Sequence, residues 1–194
     1  MSRPFLAALL AAPLLAAAAP SVPPAAAPAA PPARPPQPRA QPSPRDTARA
    51  TVGGASVLVD YGRPSKRGRT IFAADGLVPY GRVWRTGANA ATTLVTGADV
   101  MLGTTRIPKG TYTLYTIPAA DGWQLVVNRQ TGQWGTEYDQ TQDLARIPMR
   151  VRTLSAPVEQ FTIEVQPAAL VMRWDTTEAS APLRAADGGG RVSK

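Results

Sequence analysis

The side chains of this sequence best suited to chemistry are arginines in loop-like segments. Arg63, Lys66, Arg67 and Arg69 fall within one polar stretch, and Arg82 and Arg85 follow shortly before the break Thr86-Gly87-Ala88-Asn89. A guanidinium presents a planar fork of N–H donors that fits carboxylate or phosphate bidentately, and a glycine turn can add backbone N–H donors. If the 63–69 loop lies against Trp84–Asn89, then Arg63, Arg69, Arg85 and the Gly87 amide converge on an anion. The competing reading is structural: Arg63, Arg69 and Arg85 bond loop carbonyls, or pair with Asp60 and Asp75, and so pin irregular backbone. Lys66 and Arg67 read as solvated. Asn89 either orients a ligand hydroxyl or caps its own turn. Tyr80, Trp84, Trp134 and Tyr138 could stack on a sugar or aromatic ring, whereas Trp123 and Tyr112 sit in strand-like runs and read as core. The expected ligand-binding set is therefore Arg63, Arg69, Tyr80, Trp84, Arg85, Asn89, Trp134 and Tyr138, and the expected ligand is small and anionic or carbohydrate-like.

Composition removes most other chemistries. The chain has no histidine and no cysteine, which rules out Ser-His-Asp triads, Cys-His dyads, thiolate or imidazole metal sites and disulfides. No P-loop, dinucleotide-binding glycine pattern, EF-hand or zinc spacing occurs. No catalytic residue, metal or cofactor is expected. The remaining route to catalysis is a pair of carboxylates facing each other, as in glycoside hydrolysis, and Asp60 with Glu137 or Asp139 is the pair to examine. A third reading is a protein-interaction module of the cell envelope.

Residues 1–19 have the form of a secretory signal peptide: Arg3, an apolar run from Phe5 to Leu15, then small residues at Ala16–Ala19. The run is shorter than the roughly 20 residues needed to cross a bilayer, so no membrane span is expected once the leader is cleaved. Export to the periplasm or the medium follows. Residues 20–50 are rich in Pro and Ala, with few large apolar side chains. Such a segment buries too little surface to offset its ordering entropy, and an extended linker is expected. The formal charge of +8 invites a nucleic-acid reading, but several of the arginines fall in leader and linker, and no nucleic-acid partner is expected.

From residue 51 to 175 the pattern is β. Val57, Val59 and Tyr61 share one face of a strand, as do Phe161, Ile163 and Val165, and Leu170, Met172 and Trp174. Turn signals stand at Gly103-Thr104 and Lys109-Gly110, and residues 129–146 form a polar excursion with at most one helical turn. Eight to ten short strands without a long amphipathic helix predict an antiparallel β-sandwich or jelly-roll-like fold. A frayed tail is expected over 176–194.

The order of several strings resembles one bacterial family. Tyr61-Gly62-Arg63-Pro64, Val78-Pro79-Tyr80-Gly81 and Trp84-Arg85-Thr86-Gly87-Ala88-Asn89 are followed by Gly110-Thr111-Tyr112 leading to Thr116-Ile117-Pro118, and then by Trp134-Gly135 with Tyr138-Asp139. Together they are similar to domain of unknown function 2911 from about residue 56 to 165. Ala73, where glycine is expected, and Lys109 depart from the pattern. The resemblance implies an exported, mostly β domain and carries no activity or catalytic residues across.

Overall fold

The computed structural model describes residues 43–186. The expected leader, most of the expected linker and the last residues of the expected tail lie outside the described residues.

Eleven strands follow one another: β1 (Arg45–Val52), β2 (Ala55–Gly62), β3 (Phe72–Ala73), β4 (Val78–Pro79), β5 (Thr92–Thr96), β6 (Val100–Leu102), β7 (Thr105–Ile107), β8 (Gly110–Ile117), β9 (Trp123–Asn128), β10 (Asp143–Gln166) and β11 (Ala169–Ala185). Among the described residues a single 3-10 turn, Gln140–Gln142, precedes β10. Nine strands form one sheet in the order β1-β2-β5-β8-β9-β10-β11-β6-β7, and β3 and β4 make a small parallel pair. The all-β, antiparallel expectation holds, but two strands are far from short. β10 has 24 residues and β11 has 17.

The length of β10 makes the sandwich. Its first part, Asp143–Met149, pairs with β9, whereas Arg150–Gln166 pairs with β11. Register shifts between Thr153 and Thr162 bend the strand from one half-sheet into the other, as bulges do. The two halves close over one core. Val57, Val59, Leu114 and Leu125 from the first half meet Phe161, Ile163, Met172 and Trp174 from the second. The Tyr61 hydroxyl crosses between them, accepting from Ile163 N at 3.0 Å and donating to Ile163 O at 3.4 Å.

Two boundaries differ from the expectation. Strand β1 takes in Arg45–Ala50, which composition assigns to the linker, and β11 runs through Ala185, beyond the expected end at 175. β1 is a polar edge strand that buries only Val52. It is held by its ladder to β2, by the two-glycine turn Gly53-Gly54 (φ +54° and +85°), and by Arg45 pairing with Asp60. The far end of β11 buries Ala179, Ala181 and Leu183.

Candidate functional site

The segment between β4 and β5 crosses one end of the sandwich without regular structure, and is tied down at several points. Gly81 (φ +74°) turns the chain and its N–H donates to Pro118 O at 2.7 Å. Trp84 exchanges two backbone hydrogen bonds with Thr116, at 2.8 and 2.9 Å. Its ring stacks on Trp174 with centroids 5.8 Å apart and 18° between planes, and meets Phe72 and Phe161 edge-on. Thr86 is β-branched yet has φ +53°, and Asn89 has φ +64°. A Thr there is a genuine outlier. It is held in place because Thr86 is fully buried and its carbonyl accepts from Thr92 Oγ1 at 2.7 Å. Gly135 N donates to Asn89 O at 3.1 Å, and Asn89 Nδ2 donates to Ser43 O at 3.2 Å.

This segment and the 63–69 loop are the walls of a cavity of about 340 Å³. Arg67 and Arg69 contribute from the loop, Arg85, Gly87, Ala88 and Asn89 from the crossing segment, and Trp84, Trp174, Leu77 and Val78 supply the apolar side. No carboxylate lines it among the described residues. The loop wall is fixed from behind: Lys66 Nζ pairs with Asp175 at 2.5 Å, Lys66 N donates to Glu159 O at 2.7 Å, and Arg67 N donates to a Glu159 carboxylate oxygen at 2.8 Å.

Arg85 is the unusual member. Its stem lies over Gly135 so closely that a β-carbon there would come within 2.2 Å of Arg85 Cδ. Its Nε is buried and has no hydrogen-bond partner among the described residues, nor does the guanidinium form an ion pair there. Burial alone pushes its pKa below the usual arginine value. Buried donors are nearly always satisfied, and a buried charge is normally paired. In the same wall the backbone N–H groups of Gly87 and Ala88 also meet no acceptor among the described residues. Arg85, Gly87 and Ala88 all line the cavity, and no carboxylate among the described residues joins them there.

The other expected residues separate by role. Arg69 lines the cavity but spends Nε on Lys66 O (2.9 Å) and one terminal nitrogen on Ser65 O (2.6 Å), so it also clamps its own loop. Arg63 does not line the cavity. It holds Phe161 O at 3.1 Å, Thr162 Oγ1 at 2.9 Å and Asp46 at 3.0 Å, which is a clamp between the two half-sheets. Tyr80 and Trp134 are exposed and also lie outside the cavity walls. Tyr138 belongs to a separate polar cluster: it donates to Asp143 at 2.6 Å, accepts from Arg146 at 3.0 Å and meets Tyr115 edge-on. Burial, then the bond to Asp143, raises its pKa to about 12. Of the carboxylates singled out, Asp60 pairs with Arg45, Asp139 accepts from Thr141 to cap the 3-10 turn, and Glu137 is exposed. None of the three lines the cavity.

Sequence reasoning missed the apolar contributions of Leu77 and Trp174, and Arg67, read as solvated, is exposed and also lines the cavity. Arg67 also has a positive φ, +51°. No periodic signal marks it, because it reaches the cavity through a loop pinned to β10, far away in the chain. Among the described residues no helix is long and apolar enough to cross a membrane, and no group of three His, Cys, Asp or Glu residues could hold a metal.

A family model described as protein of unknown function (DUF2911) matches residues 43–183. No curated protein and no solved structure matches the chain.

Proposed function

The chain belongs to the DUF2911 family, and from the geometry of the Arg85 cavity we propose that it is a binding domain for a small anionic ligand, sugar acids included. The observation that carries this reading is the half-buried Arg85, whose Nε has no partner among the described residues and which stands beside two further arginines on walls that carry no carboxylate among the described residues. An anion entering there gains charge-assisted hydrogen bonds from guanidinium groups in a partly desolvated site. Among the described residues the cavity presents no carboxylate, imidazole or thiol to move a proton or attack a bond, so the proposal is binding without chemistry. Export completes the reading, supported by the basic, apolar and small-residue order of residues 1–19. Mass spectrometry of the mature chain from a cell-envelope fraction tests that part, and an intact Met1 would oppose it.

The test of binding is thermal denaturation at low ionic strength with a panel of phosphates, sugar acids, simple carboxylates and neutral sugars. The expected result is a rise in Tm with one class of anion, none with neutral sugars, and loss of that rise in Arg85→Met. No shift with any anion would remove the proposal.

A further inference from the structure

Resting on that reading of the cavity, we propose that its ligand carries a phosphate monoester, a tetrahedral dianionic head, with an apolar body seated on the Trp84 side. The first ground is charge. Arg67, Arg69 and Arg85 all line the cavity, and no carboxylate among the described residues does. The Arg67 side chain makes no hydrogen bond or ion pair among the described residues, and Arg69 retains one terminal nitrogen beyond the two it gives to loop carbonyls. A monoanion would leave this wall strongly positive, whereas a dianion meets more of its charge.

The second ground is direction. A carboxylate offers two oxygens in one plane and is served by a single guanidinium fork. A phosphate offers three oxygens pointing apart and suits donors arriving from separate walls. Here they come from the 63–69 loop and from Arg85 on the crossing segment, where Gly87 and Ala88 also line the cavity and their N–H groups meet no acceptor among the described residues. Clusters of backbone N–H groups in bent segments with positive φ are known anion cradles, and this segment has positive φ at Thr86 and Asn89. The third ground is the remaining space. Leu77, Val78 and Trp84 give the cavity an apolar flank that a bare inorganic anion would not use.

The absence of histidine and cysteine gives the proposal a clean readout. The side-chain types present ionise ordinarily outside pH 5–7.5. The charged groups behind the loop wall, Lys66 with Asp175 and Glu159 on Arg67 N, are already paired. A pH dependence of binding centred near pH 6 therefore points to the ligand, whose second ionisation lies there.

The experiment is calorimetric titration of the full chain, at low ionic strength, with phenyl phosphate, phenyl sulfate, benzoate and inorganic phosphate, at pH 7.5 and pH 5.0. The proposal expects phenyl phosphate to bind at least about ten-fold tighter than the two monoanions at pH 7.5, and to weaken by about ten-fold at pH 5.0 as the dianion is depleted. It expects inorganic phosphate to bind more weakly than phenyl phosphate. It also expects phenyl sulfate and benzoate to change little with pH, and Arg85→Met to lose phenyl phosphate. Benzoate or phenyl sulfate binding as tightly as phenyl phosphate, with dependence on Arg85, would overturn the dianionic head and leave the anion site standing. A phenyl phosphate affinity equal at both pH values would do the same. No binding of any of the four would overturn both.

Discussion

Replacing Arg85 with methionine separates a binding arginine from a structural one, because the two roles predict opposite signs. Methionine keeps an unbranched stem over Gly135, where the arginine chain now lies, and brings no donor that needs a partner. A buried donor left unsatisfied costs about 1–3 kcal/mol. Since the guanidinium borders an open cavity, the low end applies, and Arg85→Met should gain about 1 kcal/mol in the free protein. For a domain of this size that is a rise in Tm of about 2–4 °C. Saturating ligand reverses the ranking: at a hundred times Kd the wild type gains about 2.7 kcal/mol by mass action, and the variant gains nothing. The assay is reversible denaturation of both proteins with and without anion. A variant less stable than wild type by 1 kcal/mol or more in the absence of ligand would refute the reasoning and make Arg85 a clamp.

Arg63 predicts the contrary pattern. Arg63→Met strips partners from Phe161 O, Thr162 Oγ1 and Asp46 and should lower stability by about 1–3 kcal/mol with ligand affinity unchanged, as read by urea denaturation beside calorimetry. Gly135→Ala drives a methyl to 2.2 Å from Arg85 Cδ and 2.7 Å from Asn89 O. It should cost about 1–3 kcal/mol as overpacking does and weaken anion binding by displacing the guanidinium. Unchanged affinity would mean that the Arg85 position is not critical. Tyr138 should ionise near pH 12, measured by ultraviolet difference titration, and Asp143→Asn should lower the midpoint only in part, because burial, the larger cause, remains. Its folded pKa is raised, so its contribution to stability is complete below pH 10 and is lost as pH climbs through 12.

The core strands were legible because their apolar residues alternate. Val57, Val59 and Tyr61 are buried as the period of two requires, as are Phe161 and Ile163, and Leu170, Met172 and Trp174. β1 was not legible. An edge strand held by its ladder and its turn needs no apolar face, and Arg-Asp-Thr-Ala-Arg-Ala reads like linker. The end of β11 escaped for a related reason, since Ala179 and Ala181 fill tight space without the β-branched or aromatic signal of a strand. At the site, Arg85 and Asn89 could be named from the sequence, but the role of each arginine could not. That role depends on partners remote in the chain: Arg63 finds Phe161 and Thr162 on β10, whereas Arg85 finds no partner for its Nε among the described residues. The place of the exposed Arg67 on the cavity wall was not legible, because its loop becomes a wall only through Lys66–Asp175 and Glu159.

The buried Arg85 Nε–H can be observed directly, as a proton–nitrogen resonance assigned by its loss in Arg85→Met. Titration of the wild type with phenyl phosphate should move this signal progressively and to saturation, with the displacement expected when the guanidinium gains an anionic acceptor. A signal that stays in place while ligand binds would show that the anion sits elsewhere and that the cavity is not the site.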